Sequence, residues 1–141
     1  MVLIRSGWSA NGVYYTPEAV RSALPLLESD SGPQGLAIAR YKLTDRPDGH
    51  LPRRLRLAKV EGPAGNVVGF ATNLRVVELS EGVELRADFW CTEPDTRTLL
   101  LAAQEAQVKA PLGMSIDLDG YITEGMAEGR RGVLCTKFTR F

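Results

Sequence analysis

Ser115 and His50 are the residues of this 141-residue chain whose types most readily suggest chemistry. Ser115 lies in Leu112-Gly113-Met114-Ser115-Ile116, at an expected junction from helix to strand. The glycine two positions before it allows close backbone approach and leaves the hydroxyl open. This is not the GxSxG elbow, since Asp117 stands where the second glycine would be. His50, the single histidine, lies in the polar run Pro47-Asp48-Gly49-His50-Leu51-Pro52. A serine hydroxyl attacks a carbonyl efficiently only when a base takes its proton, and a neutral imidazole does this near pH 7. Serine–histidine sites occur in several chain orders, so histidine before serine is no obstacle. Taken alone, each residue also reads as an ordinary strand serine or loop histidine, and only the fold can bring such distant positions together.

The elements that must position them can be read from periodicity and turn signals. Val2 to Trp8 reads as a strand, Asn11-Gly12 as a turn and Val13-Tyr14-Tyr15 as the return strand. Thr16-Pro17-Glu18 starts a helix, with a threonine cap, proline in the first turn and an acid behind it. Val20, Ala23, Leu24 and Leu27 form its apolar stripe, and Pro25 predicts that it is short or kinked. Leu36 to Leu43 reads as a strand, Thr44 to Pro52 as a polar loop, and Leu55 and Leu57 as a strand with one wet face. Val67 to Leu79 and Val83 to Cys91 are strands, the second strictly alternating. A second helix opens at Glu93-Pro94-Asp95, carries Leu99, Ala102, Ala103 and Ala106 as its stripe, and ends before Pro111. Met114 to Leu118 and Tyr121 to Thr123 read as strands, Glu124 to Gly132 as a loop and Val133 to Phe141 as a last strand. This pattern predicts a mostly β (α+β) fold in one domain over residues 1–141. It would be a closed or nearly closed β-barrel of about seven strands with two or three peripheral helices, closure removing the exposed edges.

Composition narrows the function. Lys plus Arg and Asp plus Glu number 17 each, and this balance argues against broad nucleic-acid or anionic-membrane binding. No apolar run approaches a membrane span, and the start is too short for a signal peptide, so a cytoplasmic protein is expected. Cys91 and Cys135 sit in apolar, strand-like stretches and read as buried free thiols, with no CxxC or Cys/His cluster for zinc.

Gly7-Trp8-Ser9-Ala10-Asn11-Gly12-Val13-Tyr14-Tyr15-Thr16-Pro17-Glu18 resembles the opening of the prohead proteases of tailed phages. Asp48-Gly49-His50-Leu51-Pro52 resembles their histidine segment, Val67-Val68-Gly69-Phe70-Ala71 with Arg75-Val76 the strand pair after it, and Leu112-Gly113-Met114-Ser115-Ile116 their nucleophile segment. Thr136 to Phe141 is similar to the lead-in to a final strand in that family, so the resemblance runs in order through nearly the whole chain. It implies a barrel like the herpesvirus assembly proteases and a serine endopeptidase that matures procapsids. The expected substrates and partners are scaffold protein, the scaffold segment of the major capsid protein and the protease itself, inside the procapsid in the host cytoplasm. It implies Ser115 as nucleophile, His50 as base, no metal or organic cofactor, no nucleic-acid or membrane partner, and a possible homodimer.

The herpesvirus enzymes orient the base with a second histidine, which this chain lacks. The phage relatives are expected to use a carboxylate after the serine, sometimes just beyond the point matching Phe141, so the resemblance leaves open a C-terminal truncation or processing. Within the chain, Asp117 falls on the same strand face as Ser115. Asp48, Asp119, Glu124 and Glu128 are further candidates, and each also reads as a solvated surface carboxylate. Glu128-Gly129-Arg130-Arg131-Gly132 offers backbone N–H donors for an oxyanion, or is an exposed hairpin loop. Arg53-Arg54 and Arg56 would meet acidic scaffold or line the solvent face of a strand. Two competing readings are a non-catalytic barrel that binds scaffold or other phage structural protein, and a cysteine hydrolase using Cys91 or Cys135.

Overall fold

A computed structural model of the protein describes residues 1–33, 35–39, 67–109 and 118–140. The described chain is mostly β with two helices. In order, it forms β1 (Val2–Arg5), β2 (Gly7–Trp8), β3 (Val13–Tyr15), α1 (Pro17–Asp30), β4 (Leu36–Ala39), β5 (Val67–Leu79), β6 (Gly82–Cys91), α2 (Pro94–Glu105), β7 (Asp119–Ala127) and β8 (Arg130–Arg140). These strands make two four-stranded sheets, ordered β1-β6-β5-β4 and β2-β3-β8-β7. The chain divides into two compact units, one containing Met1–Leu36, Thr72–Asp88 and the described residues from 118 on, the other the described residues of Ala37–Ala71 and Phe89–Pro111.

In the first unit, the apolar opening is two strands rather than the one expected from Val2 to Trp8. The break falls at Ser6. Its N–H donates to Val83 O at 2.9 Å, and its hydroxyl accepts from Val83 N at 2.9 Å. Gly7 follows at φ 113°, a conformation that L side chains avoid, and the chain passes there from one sheet into the other. Arg5-Ser6-Gly7 interrupts the apolar residues at this point, but what moves the chain to a second sheet is the remote partner at Val83.

Helix α1 starts as its sequence predicts, with Thr16 Oγ1 accepting from Ala19 N at 3.1 Å. It does not stop at Pro25 but runs on to Asp30. Pro25 lies on the exposed side, so its missing N–H costs one bond on the wet face while the buried face continues. Ala19, Val20, Ala23 and Leu27 on that face are fully buried. Ser22 joins the helix to β8: its hydroxyl donates to Ala19 O at 2.6 Å and accepts from Phe138 N at 2.8 Å.

The segment expected as a loop from Glu124 to Gly132 is the turning end of a long hairpin. β7 pairs antiparallel with β8 from Asp119↔Arg140 to Ala127↔Arg130. Glu128 and Gly129, at φ 52° and 75°, make the two-residue turn, whose two positive φ values suit the right-handed twist of a hairpin. Glycines and charges made this stretch look irregular, but ladder pairing with β8 holds it extended.

In the second unit, α2 buries Thr96 and Ala103 and leaves Leu99, Ala102 and Ala106 exposed. The stripe expected at Leu99, Ala102, Ala103 and Ala106 is therefore rotated. Thr96 is drawn inward where its hydroxyl donates to Glu93 Oε2 at 2.7 Å, a contact that hydropathy alone does not register.

β6 keeps its expected alternation in Val83, Leu85 and Ala87, all buried. Glu84 breaks the rule: it stands on the other face yet is only 2% exposed. Arg5 Nε donates to its Oε1 at 2.7 Å and Arg86 Nε to its Oε2 at 2.7 Å, so each carboxylate oxygen has a guanidinium. Arg5 is its cross-strand partner and Arg86 its neighbour two residues on. The hydrogen bond from Arg86, then that from Arg5, holds the Glu84 carboxyl below its ordinary range against the opposing effect of burial. A carboxyl lowered on folding adds stability above its unfolded value of about 4.3, and that stability is lost as pH falls through the lower, folded value. Glu84→Gln should therefore flatten the fall in unfolding free energy between about pH 5 and pH 2. It should also cost about 1–3 kcal/mol at neutral pH, because two guanidinium bonds lose their charged acceptor. Urea unfolding of both proteins across that range measures both effects.

Candidate active site

His50 and its neighbour Asp48 lie outside the described residues, as do Ser115 and Asp117. The described elements bracket them along the chain. His50 falls between the end of β4 at Ala39 and the start of β5 at Val67, and Ser115 between the end of α2 at Glu105 and the start of β7 at Asp119. Arg53, Arg54 and Arg56 are likewise outside the described residues.

The other carboxylate candidates are described, and all lie on the β7 side of the hairpin. Asp119 opens β7, and its Oδ2 accepts from Arg140 Nε at 3.0 Å across the ladder. Glu124 is exposed in mid-strand. Glu128 is the first residue of the hairpin turn. Regular alternation along β7 puts Asp119 and Glu124 on opposite faces, so the strand does not gather these carboxylates into one cluster.

The segment proposed for oxyanion binding is organised around Trp8. Arg130, Arg131 and Gly132 stand opposite Ala127, Met126 and Gly125 in the ladder. The Arg130 guanidinium carbon sits 4.4 Å from the centre of the Trp8 ring, and the indole N–H donates to Ala127 O at 3.2 Å. Tyr14 meets the same indole edge-on, with ring centres 5.4 Å apart. Arg130 thus has a ring partner that neither the oxyanion reading nor that of an exposed hairpin loop foresaw. The Asn11-Gly12 turn between two expected strands signals that Trp8 and Tyr14 come close, but not the pairing that delivers Arg130 to them.

Both cysteines are free, as expected. Cys135 is buried in β8 and burial pushes its thiol above the ordinary range, with a weak contact to Lys137 O acting the other way. A raised thiol pKa is the opposite of what a cysteine nucleophile needs. Cys91, half-buried in β6, donates to Glu93 O at 3.4 Å. Glu84, the charged residue buried among the described ones, stands opposite the apolar face of β6, and alternation records which side a residue faces and not what covers it.

Among the described residues, no three His, Cys, Asp or Glu side chains are grouped so as to hold a metal ion. No helix among them is long and apolar enough to cross a membrane. No protein-family model, curated protein or solved structure matches this chain.

The hairpin leaves no room for a side chain at Gly132, where a Cβ would stand 2.7 Å from Trp8 Cη2. Gly132→Ala should displace the indole from beneath Arg130 and destabilise the first unit by about 1–3 kcal/mol. Thermal unfolding followed by tryptophan fluorescence reads both the lowered midpoint and the altered indole environment.

Proposed function

We propose that this chain is a serine endopeptidase of the prohead-protease type, with Ser115 as nucleophile and His50 as general base. The observation that carries the reading is the ordered series of segments, Gly7 to Glu18, Asp48 to Pro52, Val67 to Val76 and Leu112 to Ile116, which resemble that family in the family's own order. The opening segment makes β2, β3 and the Thr16-capped start of α1, whereas Val67 to Val76, compared above with a strand pair, is part of the single strand β5.

In this reading the two sheets belong to a closed, herpesvirus-protease-like barrel. His50 takes the Ser115 proton as the oxygen attacks a peptide carbonyl, and backbone N–H groups hold the oxyanion. The C–N bond then breaks, the leaving amine takes the proton from the imidazolium, and an acyl ester stays on Ser115. Water, deprotonated by His50, hydrolyses the ester and restores the hydroxyl. Asp117 is the carboxylate assigned to orient the imidazole. Asp119 is less suited because Arg140 engages its carboxylate. The substrates are scaffold protein, the scaffold segment of the capsid protein and the chain itself. The enzyme acts within the procapsid in the host cytoplasm.

Ser115→Ala should abolish cleavage of the cognate scaffold, lowering the rate by at least about 10⁴-fold, with an unchanged circular dichroism spectrum. His50→Ala should do the same, and a fluorophosphonate should label the wild type but not Ser115→Ala. Fragment masses from scaffold incubated with each protein read the result, and full cleavage by Ser115→Ala would end the proposal. Specific scaffold binding with neither cleavage nor labelling would instead mark a non-catalytic module.

A further inference from the structure

β7 is the last strand of its sheet, with β8 as its one neighbour among the described strands. It is nine residues long and carries no Lys, Arg or Pro, the devices that usually blunt a free edge. It also holds three of the largest exposed apolar side chains of the chain: Tyr121 at 65%, Ile122 at 69% and Met126 at 61% exposed. An edge of this kind is a template for another strand.

The order of large and small residues along β7 identifies the strand that fits. A two-fold axis through Thr123 pairs all nine residues of Asp119–Ala127 with those of an antiparallel second copy. Tyr121 then lies opposite Gly125 of the other copy, and Met126 opposite Gly120. Ile122 faces Glu124, Asp119 faces Ala127, and Thr123 faces itself. Both exposed large residues that neighbour a glycine in β7 are thus set across from a glycine, where no cross-strand side chain opposes them, and for Tyr121 this is the aromatic cover that stabilises glycines at sheet edges. No like charges oppose each other. Moving the axis to Glu124 would set two glutamates face to face.

We propose that the β7 edge is a homodimer interface, in which two copies pair β7 antiparallel about Thr123 and join their β2-β3-β8-β7 sheets into one continuous sheet. The proposal goes beyond proteolysis and does not rest on it, since no residue of the serine–histidine reading takes part.

The test is sedimentation velocity on the full chain from about 1 to 100 μM. The wild type should sediment as a dimer, with twice the mass of one chain, in the upper part of that range. Ile122→Glu changes an exposed side chain, sets two glutamates face to face on each side of the two-fold axis, and should give a monomer with an unchanged circular dichroism spectrum. Met126→Lys, at a second exposed site, should do likewise, so a folding failure in one variant leaves the other to decide. Thr123→Cys in a Cys91→Ser background should form an intermolecular disulfide on mild oxidation, since directly opposed residues lie within bridging distance. Glu128→Cys, at the turn, should not. A monomer throughout the range, whatever else its β7 edge captures, overturns the proposal. So does a dimer that survives both Ile122→Glu and Met126→Lys, or one that crosslinks through Glu128→Cys and not through Thr123→Cys.

Discussion

The parallel pairing of Val13–Tyr15 with Val133–Cys135 ties the beginning of the chain to its end, and most of the first unit is built around it. Parallel neighbours need a crossover, and here nearly the whole chain serves as one, so the pairing carries a large loop-closure cost. The helix that follows β3 offsets much of that cost. Thr16 N donates to Cys135 O at 3.1 Å and launches α1 along β8. Ser22 then takes up the Phe138 N–H one turn and a half later. Val20 and Leu27, fully buried on that face, each contribute about 1.5–3 kcal/mol relative to exposure. The ladder, the cap and the helix face form as one cooperative unit, and none of the three would be stable alone.

A second constraint sits at Ser6 and Gly7. The Ser6 backbone and hydroxyl both engage Val83, which fixes the last residues of β1 against β6. Gly7 then turns the backbone so that Trp8 enters the other sheet beside Tyr14. Each end of this short opening segment carries a charged anchor of a different kind. Arg5 closes one side of the buried Glu84 carboxylate, while Trp8 receives the Arg130 guanidinium on its ring. In the first, two guanidinium hydrogen bonds offset the cost of taking the Glu84 carboxylate out of water, and the second works through the ring's negative face.

The hairpin of β7 and β8 follows the Ser115 segment directly in sequence. Its nine ladder pairs and the Trp8 anchor hold it together as one stiff element of the first unit.

The amino-acid sequence by itself determined what depends on near neighbours. The Thr16 cap and Pro17 start of α1, the inward alternation of Val83, Leu85 and Ala87, the Pro94 start of α2 and the mostly β character all follow from local conformational preference and spacing. The serine, histidine and carboxylate candidates were likewise legible as residue types, because rarity and flanking glycines are local facts. What distant partners decide was not legible. Ser6 became a break between sheets because Val83 captured it, and Glu124 to Gly132 stayed extended because β8 paired with it. Glu84 went under cover because Arg5 and Arg86 supplied counter-charge, and Thr96 turned inward toward Glu93. The division has one physical cause. Backbone propensity and side-chain period act within a few residues of chain, whereas sheet membership and the burial of a charge depend on which remote segment arrives alongside, and only the tertiary structure decides that.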